Sequence, residues 1–443
     1  MMKNMDRLKY ILAGVLLWML CTSAGAQDSL LTLSLAECRR MALAYDEDLQ
    51  KAGNGVRQAK LDKAIAFSAY LPKADANATG AYMWPDMDMM GMKFRMHGAY
   101  MAGIALTQPL YTGGKIRAGN RLAAIGLDCA AENHRKVRMQ VLADADRAYW
   151  TYIAVCWKVR MLETYLRQMD ALRAQAQTSL DAGLATENDL LRIDAKRSDI
   201  DYQLQKARNG ANLCRLSLCN VVGADFDTRI VPADTVIVLD APVSLDESIA
   251  LRPELKLLQK QVEASEQQLK SVRADLLPQL GLSAGYYHFG NFKLKGMADD
   301  GQGNYVPFTQ NFKGGNWIAM ASVSLPIFHW GEGLRKVKKS KLELANSRLD
   351  LQKNSRLLII EVRQAVQNLT DSRRLVETAL RGESQATENL RVMRDRYVVG
   401  MCTLTDLLDA QSQWQQARSN LIEAQTQQKI NETEYLHVTG RLE

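Results

Sequence analysis

Residues 397–410 read Tyr-Val-Val-Gly-Met-Cys-Thr-Leu-Thr-Asp-Leu-Leu-Asp-Ala, and the middle of this stretch occurs twice in the chain. The pattern G-x-x-T-x-x-D-L-L starts at Gly400 and also at Gly183, which lies 217 residues earlier. The same offset relates Pro326 to Pro109. A register that stays constant over so long a stretch indicates an internal repeat. The sequence therefore predicts a tandem duplication of one structural unit.

The duplication divides the chain into two copies. We expect the first copy at residues 27–223 and the second at residues 244–443, with a connector at residues 224–243. Each copy is predicted to contain a helix, two strands, a long helix and a return helix.

The helix boundaries follow from local signals. The first helices are expected at residues 34–70 and 244–276, because each segment opens with a capping-box pattern and ends before a proline. The long helices are expected from Gly114 to about residue 180 and from Gly331 to about residue 396. At ~1.5 Å per residue each is on the order of 100 Å long.

The return helices carry apolar residues at alternating spacings of three and four, which is the pattern of a coiled-coil seam. Arg197 is the one polar break, and Cys214 lies on the seam, where we expect it to fill the core. The seam positions are Leu190, Ile193, Ile200, Leu204, Ala207, Ala211, Cys214 and Leu218 in the first copy, and Leu407, Ala410, Trp414, Ala417, Leu421 and Ala424 in the second. The sequence therefore predicts long antiparallel coiled coils.

The N-terminus has the order of a secretory signal peptide: basic residues, an apolar stretch and then Ala24-Gly25-Ala26. We expect residues 1–26 to be removed. The apolar stretch is short for a membrane span. Leu20 precedes Cys21 where lipidation requires a small residue, so lipidation is not expected.

Four segments alternate between apolar and small or polar side chains, as membrane barrel strands do. A soluble sheet covered by helices shows the same alternation, so this pattern alone leaves both interpretations open. The export signal and two levels of aromatic residues favour the barrel. The aromatic levels comprise Tyr82, Trp84, Tyr100, Tyr286 and Trp317 at one end and Tyr111, Phe328 and Trp330 at the other. The segments start near Ala74, Tyr100, Gln279 and Trp317, and a loop is predicted between the two segments of each copy.

Four strands are too few to close a barrel, since small barrels need about eight. Lipid contains no water that could satisfy an open strand edge. Several chains must therefore pool their strands, and the count of strands alone allows two, three or four chains.

The motifs quoted above resemble those of the TolC-type outer-membrane efflux family, and the resemblance covers essentially the whole mature chain. Gln108-Pro109-Leu110 before Gly113-Gly114 and its counterpart Leu325-Pro326-Ile327 before Trp330-Gly331 belong to the same pattern. The resemblance implies a homotrimer with a twelve-stranded barrel in the outer membrane of a Gram-negative bacterium and an α-helical tunnel in the periplasm. It also implies a periplasmic adaptor protein and an inner-membrane pump as partners, with outer-membrane lipid around the barrel.

The resemblance further implies a gate at the periplasmic entrance. Asp406 and Asp409 match a constricting acidic ring, while Tyr397 and Asp189 match positions that tie neighbouring coiled coils together. The alternative for Asp406 is a carboxylate that stabilises the helix N-terminus. Cys402 stands where the best-known member has a basic locking residue, so one closing link is in doubt. The tip turns that match the adaptor contacts are Gly183, Leu184, Gly400 and Met401; plain turn formation is the alternative.

A methionine-rich segment follows the first strand. Thioether ligands suit Cu(I), so an export component for copper or silver is an alternative, although a loop that merely contains many methionines is the simpler interpretation. The candidate ligands are Met87, Met89, Met90, Met92, Met96 and His97.

Other functional classes find little support. The net charge of +7 is spread along the chain without a basic block, so nucleic-acid binding is not expected. The histidines form no H-E-x-x-H pair. We therefore expect no enzyme and no cofactor, but a passive exit channel for efflux or type I secretion. A soluble periplasmic coiled-coil scaffold is the alternative.

Overall fold

The computed structural model describes residues 30–89, 92–183, 185–234, 245–299, 302 and 304–443. These residues divide into two compact units. One unit contains the described residues of 1–51, 135–252 and 356–443, and the other contains 52–134 and 253–355. The predicted signal peptide, most of the predicted connector, Met90, Leu184 and Ser244 lie outside the described residues.

The first helical segment is not continuous, and the prediction of one helix over residues 34–70 is wrong. Helix α1 spans Leu35–Tyr45 and helix α2 spans Glu47–Ser68. Ser34 caps α1 as predicted, because its Oγ accepts from the Glu37 N–H at 3.3 Å. Asp46 ends α1 and starts α2, since its Oδ1 accepts from the Leu49 N–H at 2.7 Å. A capping side chain inside the segment thus redirects the backbone.

The corresponding helix of the second copy begins later than predicted. Helix α5 spans Pro253–Ala274, whereas residues 245–252 are not helical. Proline at the first helical position has no N–H to leave unpaired, and its fixed φ suits the helix. The helix therefore begins at Pro253, and the predicted start at residue 244 is wrong.

The four long helices have the predicted ends to within a few residues. They are α3 at Lys115–Asp181, α4 at Glu187–Val222, α6 at Glu332–Val398 and α7 at Leu404–Val438. Glycines with positive φ follow α3, α4 and α6, at 75° for Gly183, 67° for Gly223 and 73° for Gly400. None of the helices in the described residues has both the length and the apolar character that crossing a membrane requires.

The first unit has two main apolar clusters. One surrounds the fully buried Tyr149 and Ile153 of α3. The other runs along the coiled coils and includes Ile193, Ile200 and Leu407 of the predicted seam. Arg197, the polar break in that seam, reaches Asp170 of α3 at 2.6 Å. An ion pair at the edge of the seam therefore explains the interruption.

The first unit also contains two short strands that the sequence pattern did not predict. β1 spans Leu30–Leu33 and β6 spans Arg229–Pro232, and the two pair in parallel. Each has four residues, too few for a visible alternation.

The second unit contains one antiparallel sheet. Its strands are β2 at Lys73–Tyr82, β3 at Met87–Met89, β4 at Met92–Arg95, β5 at His97–Thr112, β7 at Gln279–Asp299 and β8 at Tyr305–Ser324. The four main strands lie in the order β2-β5-β7-β8, and β4 continues alongside β7 beyond β5. All four predicted strands are present, but β7 and β8 extend well into residues 287–316, which the sequence pattern left as a loop.

The register confirms the two faces of the predicted strands. Ile104 lies opposite Tyr286 and Ala76, and Tyr286 lies opposite Trp317. Directly opposite residues share one face of a sheet, so these apolar side chains form a continuous surface. Trp317 is 81% exposed in the single chain.

Candidate functional site

The tips of the two helical hairpins are built by left-handed glycines. Gly400 ends α6, and the Met401 N–H returns to the Arg396 carbonyl at 2.8 Å, as in a Schellman motif. In the first hairpin, the Gly183 N–H donates to the Leu180 carbonyl at 2.9 Å. The Met401 side chain is 77% exposed. The turns therefore present backbone and an apolar side chain outward, and Leu184 lies outside the described residues.

Asp406 caps the helix that leaves the second tip. Its Oδ2 accepts from the Thr403 N–H at 2.9 Å and from the Thr403 hydroxyl at 2.7 Å. In return, the Thr403 Oγ1 accepts from the Asp406 N–H at 3.2 Å. The hydrogen bonds from Thr403 lower the pKa of Asp406 below its usual value. The helix-capping alternative is thus realised, and it also favours the charged carboxylate.

Asp409 lies three residues further along α7, on the same helical face as Asp406. Both side chains are exposed. No hydrogen bond or ion pair engages Asp409 among the described residues. Two carboxylates therefore stand side by side within the first two turns of α7, and only one of them has a structural role in the protomer.

The first tip repeats the cap but not the pair of carboxylates. Asp189 and Thr186 form the same reciprocal capping box at the start of α4. The position that corresponds to Asp409 in the 217-residue register is Arg192. The two copies therefore differ at this position, where the second has a carboxylate and the first a guanidinium.

Tyr397 lies near the end of α6 and packs on the coiled-coil cluster. Burial raises the pKa of Tyr397, and the charges of Asp189 and Cys402 raise it further. The structure thus brings Tyr397 and Asp189 into electrostatic range, although no hydrogen bond joins them in the described part of the chain.

Cys402 stays within its own hairpin. Its thiol donates to the Met393 carbonyl of α6 at 3.4 Å. It therefore offers no polar link to a neighbouring coiled coil in this arrangement.

A link between the hairpins comes from a residue that sequence analysis missed. The Arg192 guanidinium of α4 donates to the Thr405 hydroxyl of α7 at 2.8 Å. Further along, the Gln415 amide donates to Gln203 at 2.7 Å. The partners are more than 200 residues apart, so spacing could not reveal them. Only the position of Arg192, directly after the repeated D-L-L motif, hinted at a role.

The methionine-rich segment forms a small hairpin of β3 and β4. Met87 lies opposite Phe94, and the backbone of Met89 lies opposite Met92. The His97 imidazole lies 3.0 Å from the Asp86 carboxylate and stacks on Tyr82. The contact with Asp86 is made by the Nε2 atom of the imidazole.

Met90 lies outside the described residues. Within the described residues, no group of three or more His, Cys, Asp or Glu side chains could hold a metal ion.

Comparison with known proteins gives a consistent result. A family model described as "Outer membrane efflux protein" matches residues 39–223 and 244–441. The outer membrane efflux protein BepC of Brucella suis is 25% identical over 428 residues, which are 95% of this chain and 87% of BepC. The alkaline protease secretion protein AprF of Pseudomonas aeruginosa is 22% identical and covers 95% of this chain and 86% of its own.

Solved structures show the same fold. CusC, described with transmembrane channel formation, matches with a TM-score of 0.78 at 16% identity, covering 92% of each chain. The mixed helix-and-strand fold class predicted from the sequence is thereby confirmed.

Proposed function

The chain belongs to the outer membrane efflux protein family, and on that premise we propose that Asp406 and Asp409 form the acidic gate of its periplasmic entrance. The protein is an outer-membrane efflux and secretion channel with a periplasmic helical tunnel. Members of this family are trimeric components of tripartite export systems. The proposal assigns the residues that control this channel and the surfaces that meet its partners.

The main observation that supports the gate proposal is the pair of exposed carboxylates. Asp406 and Asp409 occupy one helical face next to the tip, and the Thr403 hydrogen bonds keep Asp406 charged. Three copies around one axis concentrate negative charge in a narrow opening. Such a ring attracts cations and repels anions.

The open edges of the sheet support assembly into a trimer. Within the described residues, β2 and β8 each pair with only one neighbouring strand. Lipid cannot satisfy the unpaired backbone groups of those edges. Pairing β8 of one protomer with β2 of the next closes a barrel of twelve main strands and removes both of these edges.

The tips supply the surface for a periplasmic adaptor, and through it for an inner-membrane pump. Gly183 and Gly400 hold the two turns in shape, and Met401 adds an exposed apolar contact. Leu184 follows Gly183 in the sequence and is included in this proposal. The channel passes its cargo without chemical conversion, as expected from the efflux and secretion proteins that it resembles.

The closing link is formed by Arg192 and Thr405, with Tyr397 and Asp189 packed beside it. In this family a basic residue at the position of Cys402 was expected to lock the entrance. Arg192 supplies a guanidinium from the other hairpin instead.

The gate is tested with the double variant Asp406→Asn and Asp409→Asn in planar bilayers. Asparagine keeps an oxygen that can accept the Thr403 hydrogen bonds, so the cap is retained while the charge is lost. We expect weaker block by multivalent cations and a reversal potential shifted toward anions. Asp371→Asn with Glu377→Gln removes two exposed charges from α6 away from the tip and serves as the control.

Unchanged block and selectivity in the tip variant would overturn the gate assignment. An equal change in the α6 control would show that overall charge, and not the tip, determines selectivity.

A further inference from the structure

A β-bulge divides the hairpin of β7 and β8 into two parts. The register shifts between Phe289, which lies opposite Gly314, and Phe292, which lies opposite Phe312. Asn291 adopts a φ of 62° there, and its side-chain amide donates to the His97 carbonyl at 2.8 Å. β7 therefore gains one residue relative to β8, and its alternation is reversed beyond this point.

The surface that is apolar before the bulge becomes cationic beyond it. β8 is regular, so its odd positions continue the face of Trp317. Lys293 lies opposite Asn311, and Lys295 lies opposite Thr309, which places both lysines on that face. We call the cationic surface the outer basic face; it comprises Lys93, Arg95, Lys293, Lys295 and Lys313.

The other face also changes at the bulge. Before the bulge it mixes small and polar residues such as Ser283 and Ser322 with the apolar Ile318 and Met320, all on the face opposite to Trp317. Beyond the bulge it carries aromatic and aliphatic residues. They include Phe94, Phe292, Leu294, Phe308 and Phe312. The exchange of polarity marks the level at which the surface facing lipid tails ends.

The cations of the outer basic face repel one another. Lys93 lies directly opposite Lys295, and Arg95 lies directly opposite Lys293. Like charges in such pairs destabilise a sheet. Two carboxylates stand nearby: Asp86 binds Arg95 at 2.8 Å, and Asp88 lies opposite Lys93.

Among the side chains that the structure describes, five cations on this face therefore lie near only two carboxylates. Among the described residues, Arg95 is the only one of the five with an ion pair. A surface with such an excess of cations is stabilised when anions outside the protein bind to it.

The level of the face fits a lipid headgroup. The pair of Tyr286 and Trp317, with ring centroids 5.3 Å apart, marks the interfacial zone. Lys313 lies four residues beyond Trp317, about 13 Å along the strand at ~3.3 Å per residue. Barrel strands tilt by roughly 40°, which reduces the height to about 10 Å. Lysine side chains extend back toward such a boundary.

We propose that the outer basic face binds the phosphate groups of an anionic glycolipid in the outward leaflet of the membrane. A phosphorylated saccharide headgroup carries its anionic groups from just above the acyl chains outward. Lys313 lies at the lower end of that range, and Lys293 and Lys295 lie two and four residues further along the hairpin, at about 15 and 20 Å. The proposal rests on the membrane insertion that the channel function requires, and goes beyond that function because it assigns a lipid partner to the outside of the channel.

The test uses full-length protein in nanodiscs that contain phosphatidylcholine with a fixed fraction of lipopolysaccharide. The variant Lys93→Gln, Lys293→Gln, Lys295→Gln and Lys313→Gln removes the lysines. We expect the glycolipid retained after purification to fall by about tenfold or more. Each cation near an anionic surface raises the binding constant on the order of fivefold. The charge-matched control is Lys338→Gln, Lys339→Gln, Lys341→Gln and Lys353→Gln on exposed positions of α6.

Three arms give distinct outcomes. The wild type should bind lipopolysaccharide without phosphates as weakly as the variant binds intact lipopolysaccharide. Equal retention by the variant, or thermal stabilisation of the wild type by inorganic phosphate to the same degree as by the glycolipid, would overturn the proposal. Loss of trimers or of membrane insertion in the wild type itself would instead contradict the channel assembly, and it is scored separately by size and by flotation.

Discussion

Gly440 occupies a position where the backbone of Leu251 leaves no space for a Cβ atom. It follows α7 with a φ of 75°, and an added Cβ would lie 2.6 Å from the Leu251 carbonyl oxygen. We expect Gly440→Ala to lower the free energy of unfolding by about 2 kcal/mol or more, from backbone strain and the collision. Thermal denaturation of the purified protein measures it.

The matched control is Gly382→Ala inside α6, where a Cβ meets nothing within 4 Å. That change should raise stability by roughly 0.5–1 kcal/mol, because alanine favours the helix. Shifts of the same sign in both variants would contradict the assigned role of Gly440.

Asp146 is the most deeply buried acidic side chain of the described residues, with no exposed surface. Its carboxylate accepts from Arg39 at 2.6 and 2.5 Å and from the Thr433 hydroxyl at 2.7 Å. Asp146→Asn should destabilise the protein by about 3–5 kcal/mol, because it leaves a half-buried guanidinium without its counter-charge. The melting temperature reports this effect.

Glu37→Gln is the companion variant, since it breaks an ion pair with Arg40 that lies in solvent. It should leave the melting temperature almost unchanged. A large drop for Glu37→Gln, or none for Asp146→Asn, would refute the distinction.

At the scale of elements, we expect the hydrogen bond between Arg192 of α4 and Thr405 of α7 to stabilise the closed arrangement of the two tips. Arg192→Ala removes the 2.8 Å hydrogen bond to Thr405. An exposed hydrogen bond to a charged group contributes about 1 kcal/mol, so the open state of the entrance should become roughly fivefold more populated. Single-channel conductance in planar bilayers detects the change.

Arg208→Ala provides the comparison, because Arg208 pairs with Glu163 inside one hairpin at 2.8 Å. It should leave the conductance as it is. Identical effects of both arginine variants would argue for a general loss of helix stability.

The ends of helices could be predicted from the sequence where a glycine terminates the helix. Gly183, Gly223 and Gly400 stop their helices through a left-handed backbone, and the sequence places them within the repeat. The break at Asp46 was missed because an aspartate can occupy a helix or start a new one. The start at Pro253 was missed because Ser244 offers an equally good capping pattern.

Contacts between distant elements were beyond sequence reasoning. The outer halves of β7 and β8 were predicted as loop, since the bulge at Asn291 reverses the alternation on which the strand prediction depends. Thr403 and Asp406 were recognisable as neighbours in a cap. The partner of Arg192 was not, because α4 and α7 meet only through tertiary packing.

At the scale of the whole molecule, the two copies differ where the gate is proposed. Both carry the cap residue, Asp189 or Asp406, but only the second copy adds Asp409. The first has Arg192 at the corresponding position. This one difference gives the second tip an additional carboxylate and the first tip the guanidinium that binds Thr405.

The exposed leucines of α6 provide a test of the assembly. Leu342 and Leu349 are 67% and 61% exposed in the single chain and lie seven residues apart on one face. In a trimer such a stripe is covered by a neighbouring protomer. Leu342→Ser with Leu349→Ser should convert trimers into monomers, as measured by analytical ultracentrifugation in detergent.

Lys339→Ser with Lys353→Ser introduces the same serines at other exposed positions of α6. Those changes should preserve the trimer. Intact trimers in the leucine variant would show that this face is not part of the interface.

The bulge beside Asn291 has a consequence for engineering. Because it resets the alternation of β7, peptide tags inserted beyond it leave the lipid-contacting rows upstream untouched, whatever their length. A single residue inserted between Gln279 and Phe289 would instead turn Tyr286 and its companions toward the aqueous interior. The bulge is therefore the natural junction for grafting foreign epitopes onto this protein for display at the cell surface.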